Sequence, residues 1–182
     1  MVELDEWFFT MEVLEDEKGR TFKKGRSSQR KTKVLVMAET VEGNPTKKGH
    51  KYIAVKHIKM IVLDDLSSKT IDGKGKDNIE SSSTIISDHS TSYANFKSIV
   101  ASHRPKVIPK DQVGQILPWV HIAISNAKRL FLDVYHDICP GYIQNYLSVF
   151  CWKFNRRTMG NGIVDRLVVA GLGYKNSFRY NV

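Results

Sequence analysis

Two aspartates stand at positions where a charged side chain is unusual. Asp5 follows Leu4, and after Glu6 the chain continues into three consecutive aromatic residues. Aspartate is a poor strand former, and burial of its charge without a partner is costly. An aspartate in such a stretch usually has a cation, a set of hydrogen-bond donors or a metal ion beside it. The alternative is an aspartate on the solvent side of an edge strand.

Asp88 and Asn126 occupy two further positions that could carry chemistry. Asp88 comes directly after the apolar run Ile85-Ile86-Ser87, and ligands gather at the carboxyl ends of strands in α/β sheets. A turn or helix-cap aspartate is an equally common reading of that position. Asn126 lies in an apolar helical pattern, where its carbonyl oxygen could bind Mg²⁺. The alternative there is a core asparagine that makes local hydrogen bonds.

The pattern of apolar residues predicts the elements that position these side chains. Strands are predicted at residues 2–9, 34–41 and 52–63, followed by a short helix within 64–83. A buried strand at 84–86, a helix at 92–100 and a last strand at 106–108 come next. Two apolar stripes with helical spacing follow, from Leu117 to Val134 and from Ile143 to Phe154. Three strands, then alternating helices and strands, and then helices are an order that indicates an α/β protein.

Composition sets the class of partner and the compartment. The 182 residues carry a formal charge of +9 with a pI near 9.5, which favours a polyanionic partner. On charge alone, a nucleic-acid partner and an ordinary basic soluble protein are about equally consistent with the sequence. No stretch is long and apolar enough to span a membrane. The acidic N-terminal residues exclude an ordinary secretory signal, so we expect a cytoplasmic protein. Cys139 and Cys151 form no C-x-x-C pair and are interpreted as reduced core thiols.

Four segments taken together resemble the catalytic domain of the DDE transposases of bacterial insertion sequences. The segments are Val2-Glu3-Leu4-Asp5-Glu6, Ile86-Ser87-Asp88 with Tyr93 five residues later, His121 to Arg129, and Gln144 to Arg157. They resemble most closely the subgroup whose third acidic position is asparagine followed by lysine, which is related to Merlin-type DNA transposons. The 37 residues between Asp88 and Asn126 are close to the spacing that such enzymes use.

This resemblance implies a fold and a chemistry. The fold is a ribonuclease H-like mixed sheet of five strands flanked by helices, over residues 1–157, with a partly helical tail at 158–182. Asp5 on the first strand, Asp88 on the neighbouring fourth strand and Asn126 on a following helix would bind two Mg²⁺ or Mn²⁺ ions. Together with Lys128 they would be the catalytic residues of metal-dependent DNA strand cleavage and strand transfer.

The implied partner is double-stranded DNA, both the element ends and the target, and the protein would be nucleoid-associated. A homo-oligomer in the DNA complex is left open. His121 either orients the site or is a core histidine with satisfied hydrogen bonds. Clustered basic residues are predicted to contact DNA phosphates without reading bases. These residues are Lys23, Lys24, Arg26, Arg30, Lys31, Arg156 and Arg157.

Some residues depart from the family pattern and keep other functions open. His89 stands where glycine is usual, Ser148-Val149 stand where the family has an Asp-Glu pair, and aromatic residues replace the glycine-rich stretch after Glu6. A degenerate or domesticated copy that binds DNA without catalysis is therefore an alternative. A ribonuclease H-like nuclease that acts on another nucleic acid is a further alternative. We also expect a chain that lacks the zinc ribbon and helix-turn-helix that read element ends.

Overall fold

The computed structural model describes residues 1–11, 30–43, 52–107, 113–135 and 138–173, together with the single residues 19, 21, 28 and 109. Five strands form one sheet. Their bounds are β1 Val2–Thr10, β2 Lys31–Gly43, β3 Tyr52–Leu63, β4 Thr84–Asp88 and β5 Ser102–Lys106.

The strand order β3-β2-β1-β4-β5 combines both kinds of pairing. The first three strands form an antiparallel meander, whereas β4 lies parallel to β1 and β5 lies parallel to β4. An antiparallel meander followed by parallel strands that return through helical connections is the ribonuclease H-like α/β arrangement, so the predicted fold class is confirmed. β1 and β4 consequently run towards the same edge of the sheet, and β4 ends beside the middle of β1.

Helices cover both faces of this sheet. The α-helices are α1 Ser68–Asn78, α2 Val113–Ile116, α3 Pro118–Leu130, α4 Ile143–Asn155 and α5 Gly162–Gly173. Alternate residues of β2 enter two separate cores, because successive side chains of a strand point to opposite faces. Val34 and Val36 pack beneath α3 and α4. Leu35 and Met37 pack on the other face, towards α1.

The side chains of α4 satisfy the outer edge of β3. The Gln144 side chain accepts a hydrogen bond from the Val62 N–H (2.8 Å) and donates one to the Met60 carbonyl (3.1 Å). The Asn155 side chain accepts a hydrogen bond from the Ile58 N–H (2.7 Å) and donates one to the Ile58 carbonyl (2.9 Å). Strand edges expose unpaired backbone groups, so these two amides explain part of the Gln144–Arg157 motif in structural terms.

Two elements of the structure differ from the sequence prediction. The last strand is predicted at residues 106–108 but lies at Ser102–Lys106, and Val107 is 75% exposed. The strand is polar because it forms the outer edge of the sheet, where Pro105 is tolerated. The helix predicted for 92–100 is a pair of 3₁₀ turns at Thr91–Tyr93 and Phe96–Ser98. No helix in the described ranges is long and apolar enough to cross a membrane.

Candidate metal centre

The pairing of β1 with β4 brings the two aspartates together. Leu4 lies opposite Ser87 in this parallel ladder, so the next residues, Asp5 and Asp88, are neighbours on adjacent strands. One carboxylate oxygen from each, together with one from Glu6, lie within 4.8 Å of one another. All three residues are half-buried. Three carboxylates this close repel one another when ionised, and a divalent cation removes that repulsion.

Backbone amides orient both aspartates. The Glu6 N–H donates a hydrogen bond to Asp5 Oδ1 (2.8 Å), and the Ser90 N–H donates one to Asp88 Oδ1 (3.1 Å). Each bond fixes one carboxylate oxygen through the main chain of the following residues. The local backbone therefore determines the direction of both side chains, and this does not depend on a bound ion.

Tyr93 places a buried hydroxyl beside the acidic cluster. Only 1% of the residue is exposed, and its hydroxyl interacts with the Glu6 carboxylate. Burial raises the pKa of Tyr93 well above its ordinary value, and the nearby Glu6, Asp5 and Asp88 carboxylates raise it further. A neutral hydroxyl that faces three carboxylates marks this pocket as polar, although it is closed to bulk water on the Tyr93 side.

Glu3 fixes the start of α3 against β1. Its carboxylate, in a residue that is 4% exposed, accepts hydrogen bonds from the N–H groups of Trp119 (2.8 Å) and Val120 (3.0 Å). Burial raises the pKa of Glu3, and the two backbone bonds partly counteract that rise. Leu117, the N-cap residue, offers no side-chain hydrogen bond, so Glu3 caps this helix from another element. Sequence reasoning missed this contact because no local capping pattern marks it.

The helical geometry of α3 separates the residues that the sequence groups together. At about 100° per residue, Lys128 lies about 20° from His121 around the helix axis, whereas Asn126 lies about 140° away. Contacts with β1 agree with this: His121 lies beside Asp5, and Lys128 Nζ lies 4.9 Å from the centroid of the Trp7 ring. The structure therefore brings Asp5, Asp88 and His121 towards one place. It leaves Asn126 exposed on the other flank of the helix.

His121 has an unusual environment for a core histidine. Its Nε2 atom lies 3.9 Å from Asp5 Oδ2, beyond hydrogen-bond distance, and has no hydrogen-bond partner within the described residues although the atom is buried. Burial lowers the pKa of His121. The interpretation of a core histidine with satisfied hydrogen bonds does not fit this nitrogen atom.

The predicted DNA-contacting residues divide into three groups. Lys23, Lys24 and Arg26 lie outside the described residues. Arg30 is exposed, and Lys31 begins β2 opposite Thr10, at the C-terminal end of β1. Asp5 lies five residues before Thr10 on β1, so Lys31 is about 17 Å from it along the strand.

Arg156 and Arg157 contact the protein itself. The Arg157 guanidinium donates hydrogen bonds to the carbonyls of Val55 (2.6 Å) and Phe154 (2.9 Å). The Arg156 guanidinium lies 4.6 Å from the centroid of the Trp152 ring. Val55 pairs with Thr40, near the N-terminal end of β1. Arg157 therefore lies at the opposite end of the sheet from Lys31, where it connects the end of α4 to β3.

Two surface cavities of about 590 and 620 Å³ lie away from the acidic residues. The first is lined by Met1, Glu39, His57 and Lys59 among others, and the second lies between β3 and α4. Neither is lined by Asp5, Glu6 or Asp88.

A five-stranded mixed sheet with paired aspartates on its first and fourth strands defines a ribonuclease H-like α/β protein. The family model of the ISXO2-like transposase domain matches residues 1–155, and the chain belongs to this family of insertion-sequence transposase domains. A search of curated proteins finds no match. The predicted resemblance to insertion-sequence transposases is confirmed at this level.

Proposed function

We propose that this chain is the catalytic domain of a DDE-type transposase that performs metal-dependent DNA strand cleavage and strand transfer. The observation that carries the proposal is the Asp5–Asp88 pair on adjacent parallel strands, within a domain that belongs to a transposase family. The assignment to the asparagine-lysine subgroup and the relation to Merlin-type transposons depend on the sequence motifs alone.

The acidic cluster fits divalent cations of the Mg²⁺ type. Its donors are carboxylate oxygens, which Mg²⁺ and Mn²⁺ accept, and the cluster holds three anionic groups within 4.8 Å. Two such ions would activate a water or a DNA 3′-hydroxyl and stabilise the leaving oxygen of an in-line phosphoryl transfer. In this proposal Asp5 and Asp88 hold the ions, with their orientation fixed by the Glu6 and Ser90 amides.

Basic residues of α3 and of the start of β2 would hold the DNA backbone. Lys128 projects from the same flank of α3 as His121 and would bind a phosphate next to the acidic residues. Arg30 and Lys31, with the preceding basic stretch at 18–29, would contact double-stranded DNA along its phosphates. Arg156 and Arg157 are not included, because both guanidinium groups contact the protein. Asn126 as a metal ligand stays a prediction of the resemblance, and its exposed position gives it no support.

Cleavage of a labelled DNA substrate by purified variants tests the proposal. Wild type should cleave with Mg²⁺ or Mn²⁺ and poorly with Ca²⁺, which takes more ligands in looser geometry. Asp5→Asn and Asp88→Asn should each abolish cleavage. Asp165→Asn makes the same charge change on the exposed surface of α5 and should retain it. Equal cleavage by wild type and both active-site variants would rule out the proposed metal site.

Salt dependence of DNA binding tests the role of the basic stretch. Simultaneous replacement of Lys23, Lys24 and Arg26 by glutamine should lower the slope of log affinity against log salt by about 0.9 for each phosphate that the protein no longer neutralises. The Arg156→Gln variant is the matched control and should leave the slope unchanged. A slope that is the same in the triple variant would show that the basic stretch does not contact DNA.

A second candidate function is a copy that binds DNA without catalysis. The specific observation in its favour is that the α3 side chain 3.9 Å from the Asp5 carboxylate is a histidine and not a carboxylate. This candidate predicts salt-dependent DNA binding in wild type and in both aspartate variants, with no metal-dependent cleavage in any of them. Cleavage that depends on Asp5 and Asp88 would exclude it.

A further inference from the structure

We propose that the edge strand β5 is a DNA-binding surface, in which Arg104 and Lys106 each hold a backbone phosphate beside the acidic cluster. The inference rests on the proposed function for the identity of the ligand. It adds a contact that no sequence motif assigns. Contacts of this kind position DNA along its phosphates and do not read its bases.

The register of the sheet places both cations on the face that α3 covers. Arg104 lies opposite Ile86, which in turn lies opposite Glu3. Residues paired in this way project to the same face of a sheet, and Ile86 packs in the core beneath α3. Because Arg104 and Lys106 are two residues apart on one strand, both side chains project to that face.

Lys106 is the neighbour of Asp88 in the sheet. The two residues are partners in the parallel ladder of β4 and β5, and neighbouring strands lie about 4.8 Å apart. Burial raises the pKa of Glu3, and the charge of Lys106 acts in the opposite direction together with the two backbone hydrogen bonds, which agrees with a lysine directed towards α3. Lys106 thus adds a cation on the β5 side of the acidic cluster, whereas Lys128 lies over Trp7 on β1.

Both cations are exposed and available to a ligand. Within the part of the chain that the structure describes, the side chains of Arg104 and Lys106 form no hydrogen bond and no ion pair. Arg156 and Arg157 differ from them, because their guanidinium groups contact the protein itself. An exposed cation without an internal partner keeps its charge for a polyanion such as DNA.

The composition of β5 leaves two roles for these cations. Pro105 lies between them and has no N–H to donate, so this edge is a poor template for an added strand. Lysine and proline on an edge strand also protect it against aggregation, and this is the competing role. Arg104 and Lys106 are about 6.6 Å apart along the strand, so each can neutralise a different phosphate. The two roles therefore differ in their consequence for DNA binding.

Fluorescence anisotropy of a labelled DNA duplex, measured in chelator at several salt concentrations, tests the inference. The double variant with Arg104→Gln and Lys106→Gln should bind more weakly than wild type. The slope of its log affinity against log salt should be less steep by about 1.8, which is about 0.9 for each of two phosphates. The matched control, with Lys69→Gln and Lys76→Gln, removes two exposed charges from α1 on the other face of the sheet. It should leave the slope unchanged.

A charge-conserving double variant, with Arg104→Lys and Lys106→Arg, keeps the test decisive if glutamine disturbs the strand. It should retain the wild-type slope. A slope that is unchanged in the glutamine variant, or reduced as much in the α1 control, shows that the cations only protect the edge and overturns the inference. Cleavage that depends on Asp5 and Asp88 would then leave the proposed function standing. Failure of wild type to bind duplex DNA overturns both.

Discussion

Replacement of Asp88 by asparagine should stabilise the metal-free protein and remove its response to divalent ions. Asp88 lies within 4.8 Å of both the Asp5 and Glu6 carboxylates, so its charge is unfavourable when no cation is bound. Asparagine keeps the Oδ1 acceptor that the Ser90 N–H uses. The substitution thus removes one charge and retains the local hydrogen bond and the side-chain volume.

Coulomb's law gives the size of the effect. At 4.8 Å, the upper limit of the separations within the cluster, one like-charge pair costs about 3.5 kcal/mol at an effective dielectric constant of about 20, and about 0.9 kcal/mol in water. The three residues are half-buried, and solvent and salt screen them in part. We therefore expect a net gain of about 1–3 kcal/mol in the free energy of unfolding. In a protein of this size each kcal/mol raises Tm by about 2–4 °C.

Thermal unfolding with and without Mn²⁺ measures both halves of the prediction. In chelator, Asp88→Asn should melt several degrees above wild type. At an Mn²⁺ concentration about 100 times the dissociation constant, wild type should gain about 2.7 kcal/mol from binding, whereas the variant should gain much less. Asp165→Asn, on the exposed surface of α5, should match wild type in both conditions. A metal-free variant that melts at or below wild type would refute the repulsion argument.

Two further predictions concern the core on the α1 face of the sheet and the two cysteines. A Cβ atom at Gly75 would lie 2.7 Å from the buried Phe96 ring, whereas one at Gly73 of the same helix meets nothing within 4 Å. Gly75→Ala should therefore lower the free energy of unfolding by about 1–3 kcal/mol, and Gly73→Ala should raise it by about 0.5–1 kcal/mol, in urea titrations; equal effects would contradict this packing. Burial raises the pKa of Cys151 to about 11, so at pH 8 iodoacetamide should label the half-buried Cys139 in the native protein and Cys151 only after unfolding. Native labelling of Cys151 would contradict its burial.

The sequence predicts β2 and β3 well. β2 lies inside the sheet and carries a continuous run of buried residues. β3 is an edge strand, but it is rich in β-branched and other apolar residues, and its prediction matches the observed bounds. The prediction for β5 is wrong since an edge strand needs few apolar residues, and Ser102-His103-Arg104-Pro105 gives no periodic signal. The Thr91–Ser98 region reads as part of one helix, but it forms two 3₁₀ turns that place Tyr93 and Phe96 in the core.

The candidate site is predictable where it lies on strands and less so where it lies on α3. The resemblance to insertion-sequence transposases predicts Asp5 and Asp88 on neighbouring strands, and the register of β1 and β4 agrees. The motif on α3 contains Asn126 and Lys128 together, yet residues two apart on a helix point about 200° away from each other. Only the packing of α3 against β1 decides which flank faces the cluster. Glu6 belongs to the first motif, but its nearness to Asp88 depends on a contact between strands.

The alternation of β1 explains how one strand face organises the whole site. Glu3, Asp5 and Trp7 alternate along the strand and all meet α3: Glu3 through the amides at the helix start, Asp5 through His121, and Trp7 through Lys128. The helix therefore runs along the strand with its position set at one end by two charge-assisted hydrogen bonds. A shift of α3 by one residue would break those bonds and turn His121 by about 100° away from Asp5. In the proposed metal site, Glu3 would therefore be a positioning residue, although it lies outside the acidic cluster itself.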